Sequence, residues 1–163
     1  MLKIFRILML SFVLCLALNA PQISCQAQTA EFQPSYRVNR VKSCAHLFFS
    51  YFEQDPRNAE VIVGLLADDK ILIEYPWAKF NAKDEYKEWI LAIPGSFHDA
   101  HHINEIQVEI VNDAVSRAFV DVFWQNQGPK GEYASDHLNY VFEFAETGGI
   151  LPKITKIFCK KVE

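Results

Sequence analysis

The chain has 163 residues, half of them hydrophobic, with 16 basic against 20 acidic residues and a formal net charge of −4. That is enough apolar material for one domain with a real core. The acidic balance argues against a nucleic-acid partner, and no repeat or low-complexity stretch suggests a solenoid or a fibre.

Lys3 and Arg6 precede an apolar run from Ile7 to Ala20. The run is short for a membrane span and one-sided in charge, which is the layout of a secretory signal peptide, so the protein is expected to be exported, periplasmic or secreted. Small residues place a cut near Ala27, giving a signal peptide over 1–27. Ser24-Cys25 also has the small-residue-then-Cys order of a bacterial lipoprotein signal, although Gln22 stands where Leu is usual. Membrane attachment is expected only through lipid on Cys25. Without Lys3 and Arg6 the balance is 14 basic against 20 acidic residues, or −6.

Residues 28–39, QTAEFQPSYRVN, read as a tether, leaving a domain over 40–163. Val41, Cys44, Ala45, Phe48 and Phe52 recur at helical spacing and predict an amphipathic first helix. Asp55-Pro56 supplies a cap and a first helical residue for a second helix reaching Ala67, with Val61, Leu65 and Leu66 towards the core. Ile71 to Tyr75 reads as a short strand ended by Pro76. Asn81 and Asp84 start a third helix with Tyr86, Trp89, Ile90 and Ile93 as its apolar face, stopped by Pro94-Gly95.

Everything after Phe97 reads as strand, in four long segments. His101 to Gln125 forms two of them, joined at Asn112-Asp113, a pair that suits the positive φ angles of a tight hairpin turn. With a two-residue turn, Ile110, Val108, Ile106, Asn104 and His102 face Val115, Arg117, Phe119, Asp121 and Phe123, and these ten share one face. The opposite face carries His101, Ile103, Glu105, Gln107, Glu109, Ser116, Ala118, Val120, Val122 and Trp124; its turn end is the more polar, so it is taken as the outer one. A one-residue slip in the turn would exchange the faces. Tyr133 to Ala145 puts Leu138, Tyr140, Phe142 and Phe144 on one parity, the better candidate for the inside, and Ile150 to Val162 closes the sheet. Three helices followed by an antiparallel meander make an α+β fold, with helices on one face of a bent sheet.

In that register Asp121 lies between Phe119 and Phe123, with Asn104 opposite and His102 diagonal. A carboxylate among phenyl rings is either a satisfied core group or the floor of a ligand pocket. Cys44 and Cys159 are the cysteines left after signal removal; they are either a disulfide between the two ends of the domain or two buried thiols. His98, His101 and His102 cluster, but no spacing resembles a zinc site and no metal is expected.

The chain resembles the nuclear transport factor 2-like superfamily, and within it the SnoaL-like group of polyketide cyclases related to ketosteroid isomerases. The resemblance rests on Leu65 to Asp69 before the first strand, Glu74-Tyr75-Pro76-Trp77-Ala78 after it, His101-His102-Ile103, the Asn112-Asp113 hairpin, and Val141 to Phe144 leading through Gly148-Gly149-Ile150. It implies a cone-shaped α+β roll, three N-terminal helices packed on a curved antiparallel sheet, enclosing an apolar cavity. Proton chemistry without metal or cofactor is implied too. The isomerases carry an Asp directly before the Pro that ends the first strand; Tyr75 stands there, and Glu74 points the other way. The expected function is binding of a small apolar ligand with cofactor-independent cyclase, isomerase or dehydratase chemistry. Asp121 and His102 are the expected acid and base, and Tyr75, Trp77, Asn104, Phe119, Phe123 and Tyr140 the expected ligand contacts. The alternative is a non-catalytic binding or protein-interaction module. A homodimer through the outer sheet face is expected, with Val120, Val122 and Trp124 as its apolar half.

Overall fold

The computed structural model describes residues 34–68 and 70–163. The expected signal peptide, the Cys25 lipidation site and residues 28–33 lie outside them. Helix α1 spans Pro34–Phe52, so residues 34–39, expected as tether, are its first turns. The reason is a long-range ion cluster. Arg37 and Arg40 are both buried, and the Glu146 carboxylate accepts from Arg37 Nε at 3.1 Å and from Arg40 Nη1 at 2.8 Å. Arg37 Nε also donates to Ser116 Oγ, and Arg40 to the carbonyls of Gly149 and Ile150. Partners a hundred residues away are invisible to local composition.

The remainder of α1 follows its periodicity: Val41, Cys44, Ala45, Phe48 and Phe52 are buried, together with Phe49. Helix α2 is shorter than expected, Ala59–Gly64, because Asn58 rather than Asp55 caps it, accepting from the Val61 N–H. Strand β1 (Leu72–Tyr75) turns through Pro76-Trp77 into a strand absent from the sequence reading, β2 (Ala78–Phe80). Helix α3 (Lys83–Ala92) has no side-chain cap at Ala82; the Glu85 carboxylate instead accepts from the Asn81 N–H. Four long strands follow: β3 (His98–Ile110), β4 (Val115–Gln127), β5 (Tyr133–Ala145) and β6 (Lys153–Lys161).

All six strands form one curved sheet in the order β2-β1-β6-β5-β4-β3, and the fold is α+β. The sheet is mixed rather than purely antiparallel, since β1 runs parallel to β6. Its inner face meets the helices through aromatic edges: Phe48 lies 5.3 Å from Phe142 and Phe49 5.1 Å from Tyr140, both nearly perpendicular. Leu138, Tyr140, Phe142 and Phe144 are all buried, the parity expected of β5.

The β3–β4 hairpin corrects the sequence reading. Asn112 Oδ1 accepts from the N–H groups of both Ala114 and Val115, and Val115 N–H donates to Asn112 O, so Asp113-Ala114 is the centre of the turn. No described residue other than glycine has a positive φ. Ile110 therefore faces Ser116 instead of Val115, and the slip of one residue exchanges the faces of β4. Ser116, Ala118, Val120 and Val122 are buried, whereas Phe119 and Phe123 are 42% and 47% exposed on the outer face. Ile106 and Val108 do pack against the core, and Glu105, Gln107 and Glu109 are exposed, as expected. Beyond them a bulge at Asn104 flips the facing of β3, so that His101 and Ile103 turn inward and His102 outward.

Cys44 and Cys159 are separate buried thiols, so of the two alternatives the disulfide is the one set aside. Among the described residues no helix is long and apolar enough to cross a membrane.

Candidate functional site

One end of the inner face encloses a cavity of about 350 Å³. Its walls come from every layer: Phe48 and Phe52 of α1, Tyr75 of β1, Trp77 of the β1–β2 turn, Trp89 of α3, and Leu138 and Tyr140 of β5. The aromatic rings are ordered against one another. Tyr75 stacks on Trp77 at 5.7 Å with planes 6° apart and on Trp89 at 5.6 Å. Trp77 is 53% exposed, which puts it at the mouth. Behind Tyr75 its hydroxyl meets that of Tyr86 at 2.7 Å. Burial holds the phenols of Tyr75, Tyr86 and Tyr140 above the ordinary tyrosine pKa, so they stay protonated donors.

The polar end is built by β3 and β4. Asp99 and His101 alternate on the inward parity of β3, paired with Asn126 and Trp124 of β4. Asp99 is fully engaged: Arg57 pairs with one oxygen, while Trp124 Nε1 and Asn126 Nδ2 donate to the other at 3.1 and 3.0 Å. Arg57 is itself anchored on the carbonyls of Phe52 and Phe97. This carboxylate is a clamp that fixes the indole and the amide, and its charge is balanced in place.

His101 is free to act. Its Nδ1 lies 3.2 Å from Glu53 Oε1, and the same oxygen accepts the His101 backbone N–H at 2.6 Å. The hydrogen bond from His101 is the largest influence on Glu53 and holds its carboxyl below the usual glutamate range, against the opposing effect of burial. An ionised carboxylate can only accept, so Nδ1 is the donor of this pair, and in the neutral imidazole the lone pair is on Nε2. With its ring packed on Phe49 at 5.0 Å, the imidazole is fixed at the cavity wall.

Against solved structures the domain is similar to a proposed scytalone dehydratase from Novosphingobium aromaticivorans, with a TM-score of 0.70 and 16% identity over 79% of this chain and 86% of that one. A proposed dehydratase of the NTF2-like family from Streptomyces avermitilis gives 0.71 and 14% over 80% and 99%. A ketosteroid isomerase-like protein from Erwinia carotovora atroseptica gives 0.64 and 12% over 78% and 97%. The fold is NTF2-like. No family model matches the sequence, and no curated protein matches it either. At these identities the likeness establishes the NTF2-like fold, and any chemistry rests on the residues of this chain.

Within that fold the residues expected to form the site divide in two. Tyr75, Trp77 and Tyr140 line the cavity. Asp121, His102, Asn104, Phe119 and Phe123 do not, because the slipped turn and the Asn104 bulge put them on the outer face. There Asp121 pairs with His137 Nε2 and accepts from Asn104 Nδ2 at 3.1 Å, while Phe123 stacks on the His137 ring. The expected Asp121–His102 acid–base pair is therefore outside the cavity, with nothing apolar enclosing it. The sequence expectations omit Glu53, Arg57, Asp99 and Asn126, and place His101 and Trp124 on the wrong face. The available signal was the alternation His98-Asp99-Ala100-His101-His102: one histidine and the aspartate share a parity that the flanking histidines do not. Among the described residues no group of three or more His, Cys, Asp or Glu could hold a metal ion.

Proposed function

We propose that this NTF2-like domain binds a neutral, planar, mainly apolar molecule bearing one oxygen function and exchanges a proton with it through His101, oriented by Glu53. The observation that carries the reading is His101, held by Glu53, at the polar end of a mainly aromatic lining. Stacked rings favour a flat ligand. Lys and Arg are missing from the lining, and the Asp99 charge is already matched by Arg57, so an anionic ligand would lose its hydration without a counter-charge. Nε2 of the neutral imidazole is the base suited to abstracting a proton beside a carbonyl or assisting loss of water, while the Tyr75 ring supplies a stacking surface. Dehydratase and isomerase activities named for the similar structures are of this kind.

The test uses naphthols and tetralones as probes. All three tryptophans of the chain, Trp77, Trp89 and Trp124, line the cavity, so intrinsic fluorescence reports occupancy directly. Binding is expected to quench it. Exchange of the α-protons of a bound tetralone in deuterated buffer, followed by NMR, is expected in the wild type and reduced about 10² to 10⁴-fold in His101→Gln. Binding without any exchange would leave a carrier rather than a catalyst.

A second reading concerns the outer face. Val120, Val122 and Trp124 point inward, but Phe119, Phe123 and Phe158 are exposed there, and we propose that they pair two copies through the sheet. A monomer at high concentration in sedimentation would overturn it. Export, which rests on residues 1–27 alone, is tested by fractionating cells that express the full chain.

A further inference from the structure

Next to the cavity lies a shallower groove of about 280 Å³, lined by Trp89, Ala92, Ile93, Pro94 and Phe97. Trp89, Ile93 and Phe97 line the cavity as well, so the two hollows meet along that row of side chains. Their chemistry differs. The cavity ends on Asp99 and His101, whereas the groove has no ionisable side chain in its lining. Part of its backbone is engaged too: the Ile93 N–H donates to Ile90 O, Pro94 has no N–H, and Pro94 O accepts from the Phe97 N–H at 3.0 Å. A charged group entering it would give up water with no charged side chain in the lining to replace it. An aliphatic chain would lose nothing.

Resting on the cavity reading above, we infer that the ligand has two parts: a flat neutral head held in the cavity against His101, and an aliphatic tail that crosses Trp89, Ile93 and Phe97 into the groove. Chain departure from α3 fixes the shape of the groove beforehand. Ile93 leaves the helix in an extended conformation and Pro94 locks the next φ, so the tail meets a formed surface rather than ordering one.

Full burial of one methylene corresponds to about fourfold in affinity, and a groove open on one side to about half that exponent, or roughly twofold per carbon. A hexyl-substituted naphthol is therefore expected to bind at least about tenfold tighter than the unsubstituted naphthol, read by tryptophan quenching. Ala92 lines the groove and not the cavity, and its side chain is exposed, so Ala92→Asp tests the groove without touching the head site. In that variant the gain from the hexyl group should fall below about threefold while naphthol binding stays within twofold. Ala92→Lys should behave alike, which removes charge sign and folding of a single variant as explanations; thermal melts of both check the fold. A hexyl group that adds nothing, or a gain that survives both substitutions, overturns the inference and leaves the cavity reading standing. Failure of both naphthols to bind overturns the inference and the cavity reading together.

Discussion

Glu53 Oε1 accepts two hydrogen bonds from one residue, His101, through its backbone N–H and its ring Nδ1. The carboxylate thereby fixes where β3 begins against the end of α1 and which nitrogen of the imidazole bears the proton. Glu53→Gln keeps an acceptor but removes the charge, so proton exchange on a bound tetralone is expected to fall about tenfold with ligand affinity little changed. The same substitution should alter the acid limb of stability. Glu53 titrates below its ordinary 4.5, so its contribution is complete above that pH and is lost as pH falls through the folded-state value. Melting curves from pH 6 to 3 should fall more steeply for the wild type than for the variant.

Asp121 offers the contrasting case. His137, its strongest hydrogen-bond partner, holds its carboxyl below the ordinary 3.8, so the group is ionised at neutral pH. Asp121→Asn should leave naphthol binding within twofold, because the residue is on the outer face. Any stability it contributes is present above the ordinary value and disappears as pH falls through the depressed one. A large loss of ligand affinity in this variant would contradict the placement of the site.

Removing Glu146 should be costly. Glu146→Ala removes the carboxylate that the buried guanidinium groups of Arg37 and Arg40 share, with an expected loss of about 3 to 5 kcal/mol in urea unfolding. Arg37→Met together with Arg40→Met in the Glu146→Ala background should recover part of it, since packed apolar side chains bring no charge into the buried setting.

The cysteines are predicted to be silent. Burial pushes the Cys44 thiol up to about 12 and that of Cys159 up to about 11, so almost no thiolate exists at neutral pH. A thiol reagent should leave both unmodified in the native protein and label both in denaturant. A shift on a non-reducing gel would indicate the bridge that the structure lacks.

Elements whose partners are their own neighbours were legible in the sequence. The apolar face of α1, the parity of β5, the four long strands and the α+β class follow from periods of 3.6 and 2 in side chains that local geometry brings together. Tyr75, Trp77 and Tyr140 were legible too, as aromatic residues beside a strand-ending proline or on a buried parity. The faces of β4 were not. They turn on whether Asn112 sits within the turn or caps it with Oδ1, a choice of one residue that leaves composition and alternation unchanged and exchanges every side chain between inside and outside. The Asn104 bulge reverses β3 again, which is how His101 reaches the cavity while His102 faces water. Glu53 and Arg57 were beyond reach for another reason: their roles are defined by partners some forty residues away, on a strand whose facing only the folded sheet decides.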